Sequence, residues 1–188
     1  MKSKRWSTVQ RVARSKARAC VWCVTGALGA FAAGPAQAAP PRGLQGVVTW
    51  VSDGNSLWFT PPDKTPIHVR LRDVDAPALC QPWGIEAKEA LEKQAFKQAA
   101  TLVIKGRDGK GRSLGTVVVD GQDLAQNLVQ AGHGWSARTR WDQGPLVKEE
   151  RMARALGRGL HSLPGAEKPA AFLRNHGPCV LGVTVAPG

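Results

Sequence analysis

Residues 43–71 read GLQGVVTWVSDGNSLWFTPPDKTPIHVRL, and this stretch decides the fold. Gly43–Val51 and Ser56–Thr60 are two β-rich runs. Ser52-Asp53-Gly54-Asn55 between them is a hairpin turn signal, because its Asp-Gly pair tolerates the positive φ angles that tight hairpins need. Pro61–Pro66 is a second turn. Ile67–Leu71 then alternates apolar and polar residues, the period of a third strand with one buried face.

Working outward, Asp73–Trp83 is a loop with two prolines, and Ile85–Ala100 reads as a helix. Ala87, Leu91, Ala95 and Ala99 fall at i, i+4 steps and give it one apolar face. Thr101–Ile104 and Leu114–Val119 make two further strands around the turn Gly106–Arg112. Asp123–Gln130 is a short helix ended by Gly132. Pro145–Leu156 is a third, with Pro145 near its start and Gly157 after it. The order of three strands, helix, two strands and two helices is that of an α+β domain. Five short strands with a helix after the third fit a small closed barrel of OB type, although pattern alone leaves other small α+β domains open. The tail from Ser162 to Gly188 is rich in Pro and Gly and is expected to wrap the domain.

The 188 residues suit one domain with additions. A hydrophobic content of 43% and a charged content of 21% exclude a disordered chain. No stretch of about 20 apolar residues lies in the body of the chain, which excludes a multi-span membrane protein. The net charge of +12 points to a polyanionic partner, but it is unevenly placed. Residues 1–18 carry Lys2, Lys4, Arg5, Arg11, Arg14, Lys16 and Arg18 and no acid. An apolar stretch, Ala19–Ala33, follows, and then Ala36-Gln37-Ala38. This is the anatomy of a secretory signal peptide over residues 1–38, with an uncleaved anchor as the alternative. Residues 39–42 form a linker. Without the first 38 residues, 19 basic residues face 14 acidic ones, a net charge of +5. The expected location is the periplasm or the extracellular space, with no membrane association once the signal is removed. Cys20 and Cys23 go with the signal, so their C-x-x-C spacing is read as coincidence. Cys80 and Cys179 remain, and export places them where a disulfide persists. The competing reading, a catalytic thiol, has no evident partner base.

Four blocks then become recognisable in order: Ser52-Asp53-Gly54-Asn55-Ser56-Leu57; Val69-Arg70-Leu71 leading into Val74-Asp75-Ala76-Pro77; Asp108-Gly109-Lys110-Gly111-Arg112; and Glu149 through Arg154 to Arg158-Gly159-Leu160. Together they resemble the staphylococcal-nuclease-like (thermonuclease) family across about residues 43–162. Cys80-Gln81-Pro82-Trp83-Gly84 and His176-Gly177-Pro178-Cys179 look like the exported bacterial members, in which the two cysteines are expected to pair and to tie back the tail 163–188. The resemblance implies a five-stranded OB-type barrel with three helices, and a calcium-dependent phosphodiesterase acting on DNA and RNA.

The residue types fit that chemistry. A calcium ion held by carboxylate and carbonyl oxygens binds a phosphate oxygen. A glutamate deprotonates the attacking water, and two arginines brace the phosphate as charge builds on it. By the resemblance, Arg70 and Arg112 match the two catalytic arginines. Asp75 matches a calcium-ligating aspartate, Asp53 a turn aspartate close to the metal, and Ala76 a residue that ligates through its main-chain carbonyl. Asn55 stands where the family has its other calcium-binding aspartate, so one charge is lost and calcium affinity should fall. Ala78 stands where the family has its general-base glutamate, and a methyl group accepts no proton. Lys110 takes the turn position of a nucleotide-stacking tyrosine, and the chain contains no tyrosine at all.

Each residue also has a plainer reading. Arg70 could be a structural salt-bridge partner of Asp75 or Asp73, Arg112 a solvated turn residue, and Asp53 an Asx cap. Glu86 could replace the missing base, or simply favour the positive end of its helix. The four histidines outside the signal have no metal-ligand spacing. Trp135, Arg138, Arg140 and Trp141 make an aromatic–basic cluster suited to nucleic-acid contact, with Trp135 alternatively packed beneath the barrel. Three functions follow: an active exported nuclease, a degenerate nuclease that binds nucleic acid or another polyanion, or an exported structural or interaction domain.

Overall fold

The computed structural model describes residues 42–179. The expected signal peptide, most of the linker 39–42 and the tail beyond Cys179 lie outside the described residues. The elements are β1 (Leu44–Asp53), β2 (Ser56–Thr60), β3 (Ile67–Leu71), β4 (Val74–Asp75), α1 (Gly84–Ala95), β5 (Ala99–Arg107), β6 (Ser113–Val119), β7 (Gln122–Asp123), α2 (Leu124–Ala131), β8 (Trp135–Ser136), α3 (Val147–Ala155), a 3-10 turn (Gly159–Ser162) and α4 (Pro169–His176).

Strands β3, β2, β1, β5 and β6 lie side by side, and β3 pairs back onto β6 in parallel, so five strands close into a barrel. Closure removes the exposed strand edges that would otherwise invite pairing with other chains. Alternation along each strand turns Val48, Val51, Leu57, Phe59, Val69, Leu71, Leu102, Val117 and Val119 into one buried core. Helix α1 closes one side of it through Leu91 and Ala95, and α2 adds Leu124, Ala125, Leu128 and Val129. The hairpin turn depends on a close approach. A Cβ on Gly54 would fall 2.7 Å from the Ala76 Cβ and 2.9 Å from the Ala87 Cβ, so only glycine lets the turn seat against α1.

The expected five-stranded α+β barrel is the observed one. The strand expected over Thr101–Ile104 runs Ala99–Arg107, taking Gly106 and Arg107 from the expected turn into pairing with β6, and β4, β7 and β8 are short additional strands; two further differences stand out. The helix expected to run to Ala100 stops at Ala95, because Phe96 is extended and Lys97 takes a φ of 60°. Lys97 N–H then donates to the Val48 carbonyl, and Val48 N–H donates to Gln98, so Ala99 and Ala100 join β5 opposite Val47 and Gly46. Strand pairing with β1 overrides the apolar i, i+4 series at Ala99. The other difference lies in the tail. Beside the three expected helices it forms a fourth, α4, with Pro169 at its first turn, where the missing N–H costs nothing.

Phe59 is the largest fully buried side chain. Phe59→Ala should lower the unfolding free energy by about 3–5 kcal/mol, read from urea denaturation at unchanged slope. A loss below about 1 kcal/mol would place it outside the structural core.

Candidate active-site cleft

The hairpin turn is held from within. The Asp53 carboxylate accepts the Asn55 N–H at 2.9 Å, an Asx turn, while remaining at the rim of a cleft. Asn55 is only 5% exposed. Its Nδ2 donates to the Val74 carbonyl at 3.2 Å, and its carbonyl accepts the Leu71 N–H at 2.8 Å. Asn55 thus ties the hairpin to β3 and β4.

Arg70 leaves β3 and meets Asp75, two residues past the strand-ending bend, at 2.7 Å. The salt bridge with Asp75 therefore exists, and Arg70 nonetheless lines the cleft. Arg112 arrives from the β5–β6 turn. Its Nε donates to Asp108 at 2.7 Å and its guanidinium donates to the Ser56 hydroxyl at 2.9 Å. The Ser56 hydroxyl in turn lies 3.3 Å from Asn55 Oδ1, to which it donates. Arg112 is thus a positioned side chain and not a freely solvated one. Desolvation works against the Asp108 charge, but bonds from the Arg112 side chain and from the Arg112 and Lys110 N–H groups hold its carboxyl below the usual range.

Arg70, Arg112, Lys110, Asp53, Asn55, Ala76 and Ala78 all line one cleft of about 510 Å³. Sequences scattered over some sixty positions are therefore brought to one place. Arg70, Arg112 and Lys110 line it together with Asp53, while Asp75 and Asp108, outside the lining, pair with Arg70 and Arg112. Among the described residues, no cluster of three or more His, Cys, Asp or Glu could hold a metal ion. Oxygen donors for a calcium ion reduce to Asp53, Asp75, the Ala76 carbonyl and the Asn55 amide; of these, Asp75 Oδ1 already accepts from Arg70 and Asn55 Oδ1 from Ser56. Calcium takes six to eight oxygens, so this donor set fits it poorly.

The tail supplies a wall that sequence reasoning missed. Pro169, Leu173, Pro178 and Cys179 line the same cleft opposite the arginines' turn residues. Cys80 and Cys179 are bonded, and Gln81 Nε2 donates to the Glu167 carbonyl at 2.6 Å, so the tail is clipped on both sides of α4. Lys168, just before α4, has its pKa lowered by partial burial and by Arg138, against the pull of Glu150 and Asp75. The sequence signalled the clip through Cys80 and Cys179, but the wall depends on where the eight-residue helix α4 packs.

The aromatic–basic cluster divides. Trp135 is 2% exposed and meets His161 edge-on, with ring centroids 6.4 Å apart. Arg138 is committed to Glu150 at 2.6 Å. Glu150, 1% exposed, also accepts Arg154 at 3.1 Å and the Ser136 N–H at 3.0 Å. Arg140 and Trp141 remain at the surface, with the guanidinium 4.8 Å from the ring centroid and Trp141 85% exposed. Glu86 is exposed at the first turn of α1, outside the cleft lining.

The family model for staphylococcal nuclease homologues matches residues 68–162. The chain is 31% identical over 142 residues to the micrococcal nuclease of Shigella flexneri, covering 70% of this chain and 81% of that protein. It is 34% identical over 143 residues to protein ParB of Escherichia coli, covering 70% and 80%. A probable staphylococcal-like nuclease, CAN1, from Oryza sativa subsp. japonica is 33% identical over 109 residues, 57% of this chain and 33% of that protein. The chain thus spans about a third of the length of the plant relatives it matches. It belongs to the staphylococcal nuclease homologue family.

Two outcomes follow from the electrostatics. Glu150→Ala leaves the Ser136 N–H without its buried acceptor while Arg138 and Arg154 stay partly solvated, and should cost about 1–3 kcal/mol in urea denaturation; a change within experimental error would mean that water replaces the carboxylate. His133, His68 and His161 are each held below 6.5, by burial first, with Arg112 adding at His68 and Arg154 at His161. The unfolded chain then binds protons that the fold resists. This contribution to stability is complete above about pH 6.5 and is lost as pH drops below it, so the thermal midpoint should decline on acidification. A flat midpoint there would show that these imidazoles titrate as in the unfolded chain.

Proposed function

We propose that this chain is an exported nucleic-acid-binding domain of the nuclease family in which phosphodiester cleavage is impaired. The observation that carries this reading is the cleft itself: Arg70 and Arg112 share it with the methyl group of Ala78 where the family has its general base. Arginine forks bind a phosphate by charge-assisted hydrogen bonds whether or not a water is activated beside it. Loss of general-base assistance removes about 10²–10⁴-fold in rate.

Calcium binding, implied by the family, is on this reading weak. The neutral Asn55 amide replaces a carboxylate, and Asp75 already answers Arg70. With Lys110 beside the two arginines, the cleft presents N–H donors that can meet a phosphate without the ion. Export rests on the basic and apolar organisation of residues 1–38 and agrees with a disulfide that persists only in an oxidising compartment.

Purified protein should bind single-stranded DNA in chelator, more weakly as salt rises, with the slope of log affinity against log salt reduced by about one in Arg70→Ala. Cleavage with calcium should be slow, and Ala78→Glu combined with Asn55→Asp should raise it by about two orders of magnitude or more. Robust calcium-dependent cleavage by the unaltered protein, abolished in Arg70→Ala, would overturn the impaired reading. No gain from the double variant would mean the cleft serves another chemistry.

A further inference from the structure

Successive side chains of a strand point to opposite faces, so residues absent from the barrel core must lie outside it. In β2, Leu57 and Phe59 are buried in the core, which leaves Ser56 and Trp58 on the outer face. In β3, Val69 and Leu71 are buried, which leaves His68 and Arg70 outside. Register aligns these outer residues in rows. Ser56 lies opposite Arg70, and Trp58 lies opposite His68. A register shift in β1 between Val48 and Trp50 places Trp50 opposite Trp58 on the other side.

The first row is the cleft row, with Ser56 holding Arg112 at 2.9 Å. The second row is Trp50, Trp58 and His68, one pleat along the same strands, a step of about 7 Å. The Trp58 and His68 rings stack with centroids 4.7 Å apart and planes 5° apart. Lys88 Nζ lies 5.9 Å from the Trp50 ring centroid. All three aromatic residues are only partly buried, and none belongs to the core. Stability alone does not account for His68, because its Nε2 is buried without a hydrogen-bond partner among the described residues, which costs the fold. Burial and Arg112 lower the His68 pKa, against the pull of Asp53 and Asp108.

We infer that Trp50, Trp58 and His68 form a stacking shelf for the bases of a single-stranded nucleic acid whose phosphate is held at Arg70 and Arg112. This rests on the phosphate-binding reading of the cleft and adds to it a base-contact surface that the family's site residues do not include. Continuity selects the occupant, since the shelf adjoins the arginine row with no intervening strand and has Lys88 at its far end. Aromatic faces beside backbone-tracking cations bind unpaired bases, whereas a duplex keeps its base faces stacked inside. Arg140 and Trp141 form a separate aromatic–cation pair on the loop after β8.

The test compares a fluorescein-labelled oligo(dT) with an abasic strand of equal length and charge, by anisotropy in chelator. The unaltered protein should prefer oligo(dT) by about 5- to 100-fold. Trp58→Ala should erase that preference while leaving abasic-strand affinity in place. Equal affinity for both strands in the unaltered protein, with salt-sensitive and Arg70-dependent binding intact, overturns the shelf and spares the phosphate site. Absence of salt-sensitive binding to either strand overturns both. A second measurement needs no variant: a 5-iodouracil strand photo-crosslinked to the unaltered protein should form adducts at Trp50, Trp58 or His68. Adducts confined to Trp141 would move base contact to the loop after β8 and overturn the shelf.

Discussion

The parallel pairing of β3 with β6 closes the barrel, and the cleft exists because of it. Val69, Arg70 and Leu71 lie opposite Ser113, Leu114 and Gly115. That register brings Arg112, at the head of β6, to the side of Arg70 across more than forty residues of chain. Parallel neighbours need a long crossover, and here α1 and β5 provide it. The Arg112 guanidinium then reaches Ser56 on β2, so one side chain ties the β5–β6 turn to the β1–β2 hairpin. Asp108 fixes its direction from within the turn. Phosphate binding by two forked donors demands this kind of placement, because a small misalignment forfeits the second hydrogen bond.

Around that closure, two devices hold the edges of the cleft. Glu150 is buried between Arg138, Arg154 and the Ser136 N–H, and so fastens α3 to the short β4–β8 pairing that carries Asp75. A buried carboxylate is tolerable only when its oxygens are fully engaged, and here two arginines and a backbone donor engage them. On the other side the Cys80–Cys179 bond and the Gln81–Glu167 contact clip the tail, so that Leu173 and Pro169 become walls of the cleft. The barrel provides the rigid floor, and the chain after it provides the shape.

Much of this was legible before any coordinates. Turn chemistry at Asp53-Gly54 and the alternation of Ile67–Leu71 located three strands, and the spacing from Arg70 to Asp75 carried both the resemblance and the salt bridge. The end of α1 was not legible, because Ala99 continues a helical apolar series and only the pairing with β1 draws it into a strand. Arg138 illustrates the other kind of miss. Beside Arg140 and Trp141 it reads as one member of a contact cluster, yet its partner Glu150 lies on another element.

From sequence alone came the family, the barrel and the barrel-side residues that line the cleft, Asn55 and Ala78 among them. These are local facts, carried by short motifs, turn residues and strand period. The tertiary structure decided which charge each arginine answers, that a tail helix walls the cleft, and that Trp50, Trp58 and His68 fall into one row beside the arginines. Such features depend on register and closure. A one-residue slip in pairing would send every outer side chain to the core, and pairing is set by the packing of the whole barrel.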